Sequence, residues 1–327
     1  MCGIGGVVRF GNTPITEEVL SMLLVKNMHR GNDASGVALS QADGSIDVLK
    51  DDSTPWQFVK SKEWISFMEE KLKPDTWAAM VHARAATGGN PRENKNNHPL
   101  ISGCCAIIHN GVIRNDDYLF KDLKLDRAAA TDSDIIRAIA DEHGLTPKAV
   151  DIMNRIGGGV ASCIFDPRKP KQLMLMRSGN PICLASTEDM LYFASEKNTL
   201  HVALKPFHER FNIWFQANRP DVAFGTFPDH TAWLIGERGL EWHGKFDSFG
   251  GGKYNEPTRR VFEGYDWRQR EFDRKAGQDT KSDTEMRDVW CPNCKDTRCI
   301  PKDKDVKDFH CKYCKTPVTE LPQTVTA

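Results

Sequence analysis

The chain has almost no net charge: 44 lysines and arginines face 45 aspartates and glutamates, leaving −1 at neutral pH. That balance excludes a global pull toward nucleic acid or a membrane surface. No apolar run approaches the ~20 residues of a membrane span, so no membrane association is expected. The opening residues lack the basic start and longer apolar stretch of a secretion signal. Internal repeats and low-complexity tracts are missing. A glycine-rich phosphate loop is missing too: GGG at 250–252 has no strand before it and no helix after it, and reads as linker. The 10 cysteines do not have the layout of a disulfide framework. Four of them form two Cys-x-x-Cys pairs near the end, which points to metal in a reducing, cytoplasmic setting.

What remains describes a soluble globular protein, with 39% hydrophobic and 27% charged residues in 327. That length suggests about two domains, or one large domain with a small appendage. Short apolar runs rich in β-formers recur through residue 246: IGGVVRF, DTWAAMVHA, CCAIIHNGV, GGVASCIFD, QLMLMRS, PICLAS, LYFAS and TAWLIGE. Two stretches have helical spacing. ITEEVLSMLLVKNMH follows Thr16, a plausible cap; TDSDIIRAIADEHG opens on Asp and Thr caps and ends at Gly144. Many strands with few helices predict a layered α+β domain over 2–246. After Phe246 the composition turns Gly-rich and then about half charged, so 247–289 reads as a solvated linker. Order is expected to return over 290–320.

The start, MCGIGGVV, puts a cysteine directly behind the initiator methionine. Taken alone, Cys2 is most simply a small apolar residue opening a buried strand. Methionine removal is favoured before a small residue, however, and would leave Cys2 with its own α-amine beside its thiol. That amine has a reference pKa of about 7.7–8.0, so part of it is neutral and can act as a base. One residue then supplies both nucleophile and base.

Further stretches change the weight of that reading: HRGNDASG at 29–36, HARAATGGNP at 82–91, NNHPL at 96–100, HNGVIRN at 109–115 and ATDSD at 130–134. GGVASCIFD, RSGNP and LYFASEKNTL follow in order. Together with MCGIGG they resemble the glutaminase domain of class II glutamine amidotransferases, closely over about 2–205 and weakly over 206–246. The resemblance is greatest to the glucosamine-6-phosphate synthase and glutamine phosphoribosylpyrophosphate amidotransferase types. It implies the αββα sandwich of N-terminal-nucleophile hydrolases. It also implies that Cys2 attacks the side-chain amide of L-glutamine, forming a thioester and releasing ammonia, with no cofactor in that chemistry. Asn110 and Gly111 match the oxyanion-hole donors; in isolation an Asn-Gly pair is a hairpin turn. Arg84 matches the arginine that pairs with the substrate α-carboxylate, with Thr87 adding a hydroxyl. Asp132 matches the aspartate that takes the α-ammonium and is also a candidate helix cap. Arg30 and Gly31 match the pair beside the nucleophile, and Asp33 and Gly36 support that loop. His98 matches a histidine near the site, with a loop-bridging role as the alternative. Ala85 and Gly88 stand where the synthase type has Trp and His, so the loop over glutamine is expected to be looser or partner-dependent. Cys104, Cys105, Cys163 and Cys183 fall in apolar runs and are expected in the core.

No acceptor domain is recognisable in the remaining residues, which implies a separate ammonia-accepting synthase subunit. The added segment is WCPNCKDTRCIPKDKDVKDFHCKYC. Cys291 with Cys294, and Cys311 with Cys314, have the two-knuckle spacing of a four-cysteine zinc ribbon, whose folding would depend on a structural Zn²⁺. Cys299 and His310 are rival ligands outside the pairs. Seven basic against four acidic residues over 290–315 suit contact with either protein or nucleic acid. Two other readings stay open: a stand-alone hydrolase of another γ-glutamyl amide, and a non-catalytic zinc-ribbon binding protein.

Overall fold

The computed structural model describes residues 1–210, 223–245, 286–292, 296–301, 305–310 and 316–320. The chain divides into two units, Met1–Phe272 and Asp273–Ala327.

The first unit contains two antiparallel sheets. One is formed by β1 (Gly3–Arg9), β2 (Ala34–Ser40), β3 (Ile46–Asp51), β4 (Ala78–Arg84), β9 (Cys183–Ser186), β10 (Met190–Ala194) and β11 (Ala223–Thr226). Its order is β11-β9-β10-β1-β4-β2-β3, which puts β1 in the middle. The other is formed by β5 (Leu100–Ile101), β6 (Ala106–Ile113), β7 (Gly158–Phe165), β8 (Gln172–Ser178), β12 (Thr231–Gly236) and β13 (Gly239–Lys245), in the order β13-β12-β8-β7-β6-β5.

Three apolar clusters show how these layers stack. Alternate residues of a strand face opposite sides of its sheet. Ile4, Val8 and Met80 of the first sheet meet Ile108, Cys163 and Leu175 of the second, so the sheets pack face to face. Val7, Val37 and Val81 point the other way. They pack on Leu20 and Leu24 of α1 (Glu17–Lys26), Phe58 of α2 (Pro55–Phe58), Trp64 of α3 (Lys62–Lys71) and Leu200 of α7 (Lys197–Arg210). Ile107, Ile164 and Met174 pack on Leu119 of α4 (Asp116–Leu123), Ile135 and Ile139 of α5 (Asp134–His143) and Val150 of α6 (Pro147–Met153). The result is a mixed α/β unit with helices outside both sheets.

Thr16 caps α1 as its sequence suggests, accepting from the Val19 amide. Helix α5 ends at Gly144, at φ +68, but its start corrects the sequence reading. Ser133 is the N-cap and makes no side-chain cap bond. Asp134 instead accepts from the amides of Ala128 and Ala129 and pairs with Arg137, because the preceding loop folds back over the helix start. Cys105 and Cys163 are buried as expected, whereas Cys104 and Cys183 are half-buried. Cys104 precedes β6 in the β5–β6 connection, and Cys183 is the first residue of β9.

In the second unit β14 (Met286–Cys291) pairs with both β15 (Asp296–Pro301) and β16 (Thr319–Glu320). Val289, Val306 and Val318 form its small core, with Phe309 packed against them.

Candidate active site

The glycines behind Cys2 follow from close packing around β1. A Cβ on Gly3 would lie 2.6 Å from Asn27 Cβ. Asn27 is buried, and its side-chain amide donates to the Ile4 and Leu23 carbonyls, tying α1 to β1. Cys2 thus stands at the head of a central strand with a clamped backbone. Its sulfur lies 3.4 Å from both the nitrogen and the oxygen of Ala85. Burial raises the thiol pKa, and the Asp132 charge adds to the rise; the Ala85 amide, the amino-terminal charge and Arg84 oppose it.

Arg30 reaches Cys2 through its backbone. Arg30 Nε donates to the Cys2 carbonyl at 2.8 Å, and its Nη1 donates to Glu196 at 2.6 Å. Gly31 is required by contact: a Cβ there would lie 2.3 Å from the Arg84 carbonyl carbon and 2.6 Å from Ala85 N. Asp33 accepts from the Ala86 amide at 2.7 Å, and a Cβ on Gly36 would collide with His98 O at 2.1 Å. These residues shape the segment after β4.

Arg84, the last residue of β4, is buried. Its Nη1 donates to Asn97 Oδ1 at 2.6 Å, and its Nη2 donates to the carbonyls of Gly88 and Gly89 at 2.5 and 3.0 Å. Burial lowers its pKa, while Cys2, Asp33 and Asp132 counter that shift. Cys2, Arg84 and Asp132 therefore lie within electrostatic range of one another. Asp132 accepts from the Ile113 amide at 2.6 Å and from the Thr131 and Ser133 hydroxyls at 3.2 and 3.3 Å. None of these bonds caps α5, so the structure does not place Asp132 in that second role. Thr87 is exposed in the loop after β4.

Asn110 and Gly111 lie inside β6, paired with Ala161 and Val160 of β7, and do not form a hairpin turn. Asn110 is buried, yet its side-chain oxygen and nitrogen have no hydrogen-bond partner among the described residues. A buried amide left this way is costly unless something polar comes to meet it. Gly111 has no room for a side chain: a Cβ would lie 1.8 Å from Gly159 O. His98 is also buried with both ring nitrogens unpartnered among the described residues, and its ring stacks on His82 at 4.3 Å. Burial holds both rings neutral, with His82 pushed down to about 3. His82 in turn donates to the His109 carbonyl at 3.0 Å, next to Asn110.

The sequence reading missed four side chains: Glu196, His29, Asn97 and Lys50. Glu196, His29 and Asn97 lie inside motifs already singled out, but their contacts cross from 13 to 167 residues of chain and have no local signature. Lys50 has no motif around it. Of the proposed metal ligands, Cys294, Cys311 and Cys314 lie outside the described residues, and Cys291 ends β14. Among the described residues, Cys104, Cys105 and Asp141 bring ligand atoms within 4.8 Å of one another. Asp141 is already engaged there: it accepts from the Cys104 and Cys105 amides and pairs with Arg137. It works as a clasp on the chain entering β6.

Residues 82–202 match the family described as glutamine amidotransferase domain. The glutamine–fructose-6-phosphate aminotransferase (isomerizing) of Escherichia coli K12 is 29% identical over 219 residues, covering 64% of this chain and 34% of the relative. The enzyme of the same description from Rhizobium meliloti strain 1021 is 27% identical over 222 residues, covering 63% of this chain and 33% of the relative. The matched region is thus about a third of the length of these relatives. The fold is similar to that of glutamine phosphoribosylpyrophosphate amidotransferase from B. subtilis, with a TM-score of 0.55 and 16% identity over 75% of this chain and 49% of that one. It is also similar to an allosteric regulatory enzyme of purine biosynthesis, with a TM-score of 0.57 and 17% identity over 75% and 49%. These likenesses agree with a mixed α/β unit built on two antiparallel sheets. Over the matched residues the chain is thus similar to glutamine amidotransferase domains.

Proposed function

We propose that residues 2–246 form a class II glutamine amidotransferase domain that hydrolyses the side-chain amide of L-glutamine, and that the ammonia passes to an acceptor on a separate synthase subunit. The observation that carries the reading is the Cys2 sulfur lying 3.4 Å from the Ala85 nitrogen, next to the buried Arg84 where β4 ends beside β1. Removal of Met1 frees the Cys2 amine, which takes the thiol proton as sulfur bonds to the amide carbon. The oxyanion that forms is stabilised by the Asn110 side-chain N–H and the Gly111 backbone N–H, donors worth a few kcal/mol each in such sites. The unpartnered Asn110 amide supports that role. Collapse expels ammonia with the proton held by the amine and leaves a thioester. Water then attacks the thioester, giving glutamate and the free thiol.

Arg84 holds the glutamine α-carboxylate, aided by the Thr87 hydroxyl, and Asp132 holds the α-ammonium. Arg30 and Gly31 fix the backbone of the nucleophile and the wall beside it, and His98 backs the pocket. Cys291, Cys294, Cys311 and Cys314 form a donor set suited to a structural Zn²⁺. The ribbon they close over 290–320 contacts a protein partner or nucleic acid and takes no part in the hydrolysis.

The test is glutamate release from L-glutamine by the purified chain, beside Cys2→Ala and a variant with a residue inserted to keep Met1 in place. Release lost in both variants supports the reading. Release that persists with Met1 retained removes the amine from the mechanism. Hydrolysis of γ-glutamyl peptides but not of glutamine reassigns the substrate.

A further inference from the structure

Glu196 lies just after β10, and no role for it follows from the sequence. Its two carboxylate oxygens are both used: Oε1 accepts from Arg30 Nη1 at 2.6 Å, and Oε2 meets His29 Nε2 at 2.8 Å. The other ring nitrogen of His29, Nδ1, lies 2.8 Å from the Lys26 carbonyl. Glu196 is thus held between the Arg30 guanidinium and the His29 ring. Its carboxyl is held below the usual range: burial pushes it up, but the Arg30 and His29 contacts outweigh that.

One link further on, Arg30 Nε donates to the Cys2 carbonyl at 2.8 Å. Arg30 thus bridges the Glu196 carboxylate and the Cys2 carbonyl. The guanidinium is largely buried, at 7% side-chain exposure, so its direction is set by the groups that receive it.

Building on the hydrolysis proposed above, we infer that Glu196, braced by His29, is a positioning residue that aims Arg30 and thereby holds the Cys2 nucleophile in line with the amide carbon. Glu196 touches neither Arg84 nor Asp132 in any described contact, so it acts on the reacting end of glutamine and not on the amino-acid end. Misplacing a nucleophile by about 1 Å can cost on the order of 100-fold in rate.

The experiment measures kcat and KM for glutamine with Glu196→Gln and Glu196→Asp in the full chain, together with thermal midpoints. The expected result for Glu196→Gln is a kcat lower by roughly ten- to a hundredfold, with KM within about twofold and a folded protein. Glu196→Asp keeps the charge and should recover part of the loss. An unchanged kcat for Glu196→Gln overturns the inference. So does a rise in KM with kcat preserved, which would place Glu196 at the substrate clamp. Absence of glutamate release by the wild-type chain, at the level of Cys2→Ala, overturns the hydrolysis reading itself and the inference with it.

Discussion

Lys50 and Arg84 share one asparagine. Lys50 Nζ donates to the Asn97 backbone oxygen at 2.8 Å, while Arg84 Nη1 donates to the Asn97 side-chain oxygen at 2.6 Å. Lys50 also donates to the Pro99 carbonyl at 2.9 Å, so it grips the chain on both sides of His98 while Arg84 holds it at Asn97.

That arrangement has a pH signature. Burial, with Arg84 nearby, pushes the Lys50 pKa down to about 8 from 10.5. Between those values the unfolded chain binds more protons at this residue than the folded one, so its contribution to stability rises with pH. The cost of the buried charge is full below pH 8 and fades toward 10.5. Urea unfolding of the wild type and of Lys50→Met, compared from pH 7.5 to 10.5, should show the wild type gaining relative to the variant by on the order of 1–3 kcal/mol. A constant difference would show that Lys50 titrates normally.

His82 gives the acid counterpart. Its folded pKa is about 3 against 6.5 for the free side chain, chiefly from burial. The unfolded state takes up a proton in that window and the folded state does not, so stability falls as pH drops from 6.5 toward 3. His82→Gln removes the titrating ring, and its unfolding midpoint should depend less on pH between 6.5 and 4.5 than that of the wild type. Equal slopes would count against the assignment.

Gly31→Ala should be severe. The new methyl would meet backbone atoms of Ala83, Arg84 and Ala85, none of which can rotate away. The end of β4 would have to move, carrying Arg84 and the Ala85 contact to Cys2 with it. We expect glutamine hydrolysis to fall by roughly 100-fold, as for a misplaced reacting group. Thermal melting and steady-state kinetics would check this.

For the proposed ribbon, metal analysis of the purified chain should find about one zinc per chain, as four cysteines around one ion require. Cys291→Ser and Cys311→Ser should each lower that content. Glutamine hydrolysis should survive in both, because the zinc is placed outside the chemistry. A chain that purifies without zinc would rule out the metal-closed ribbon.

The strands of the first unit were largely legible because most carry unbroken apolar runs with clear borders. ASGVALS of β2 was missed: its serines and glycine hide a strand that is buried along its whole length. IDVLKD of β3 escaped because it carries three charged residues among six. The α5 cap was misread because Asp134 serves the preceding loop, a tertiary choice that local pattern does not show. The site motifs were visible as residue types in order. The bonds that orient them were not, since Arg30 to Glu196 crosses 166 residues and Lys50 to Asn97 crosses 47.

The central place of β1 also bears on how the chain is made. This strand is synthesised before both of its partners: β4 ends at Arg84 and β10 ends at Ala194. At roughly 5–20 residues per second, the second edge of β1 stays unpaired for on the order of 10 s after the strand itself is synthesised. During that interval GIGGVVR is an apolar segment with open backbone donors and acceptors, a template for wrong pairing. The strand that presents the cysteine therefore also benefits from a chaperone's cover while it waits for β10.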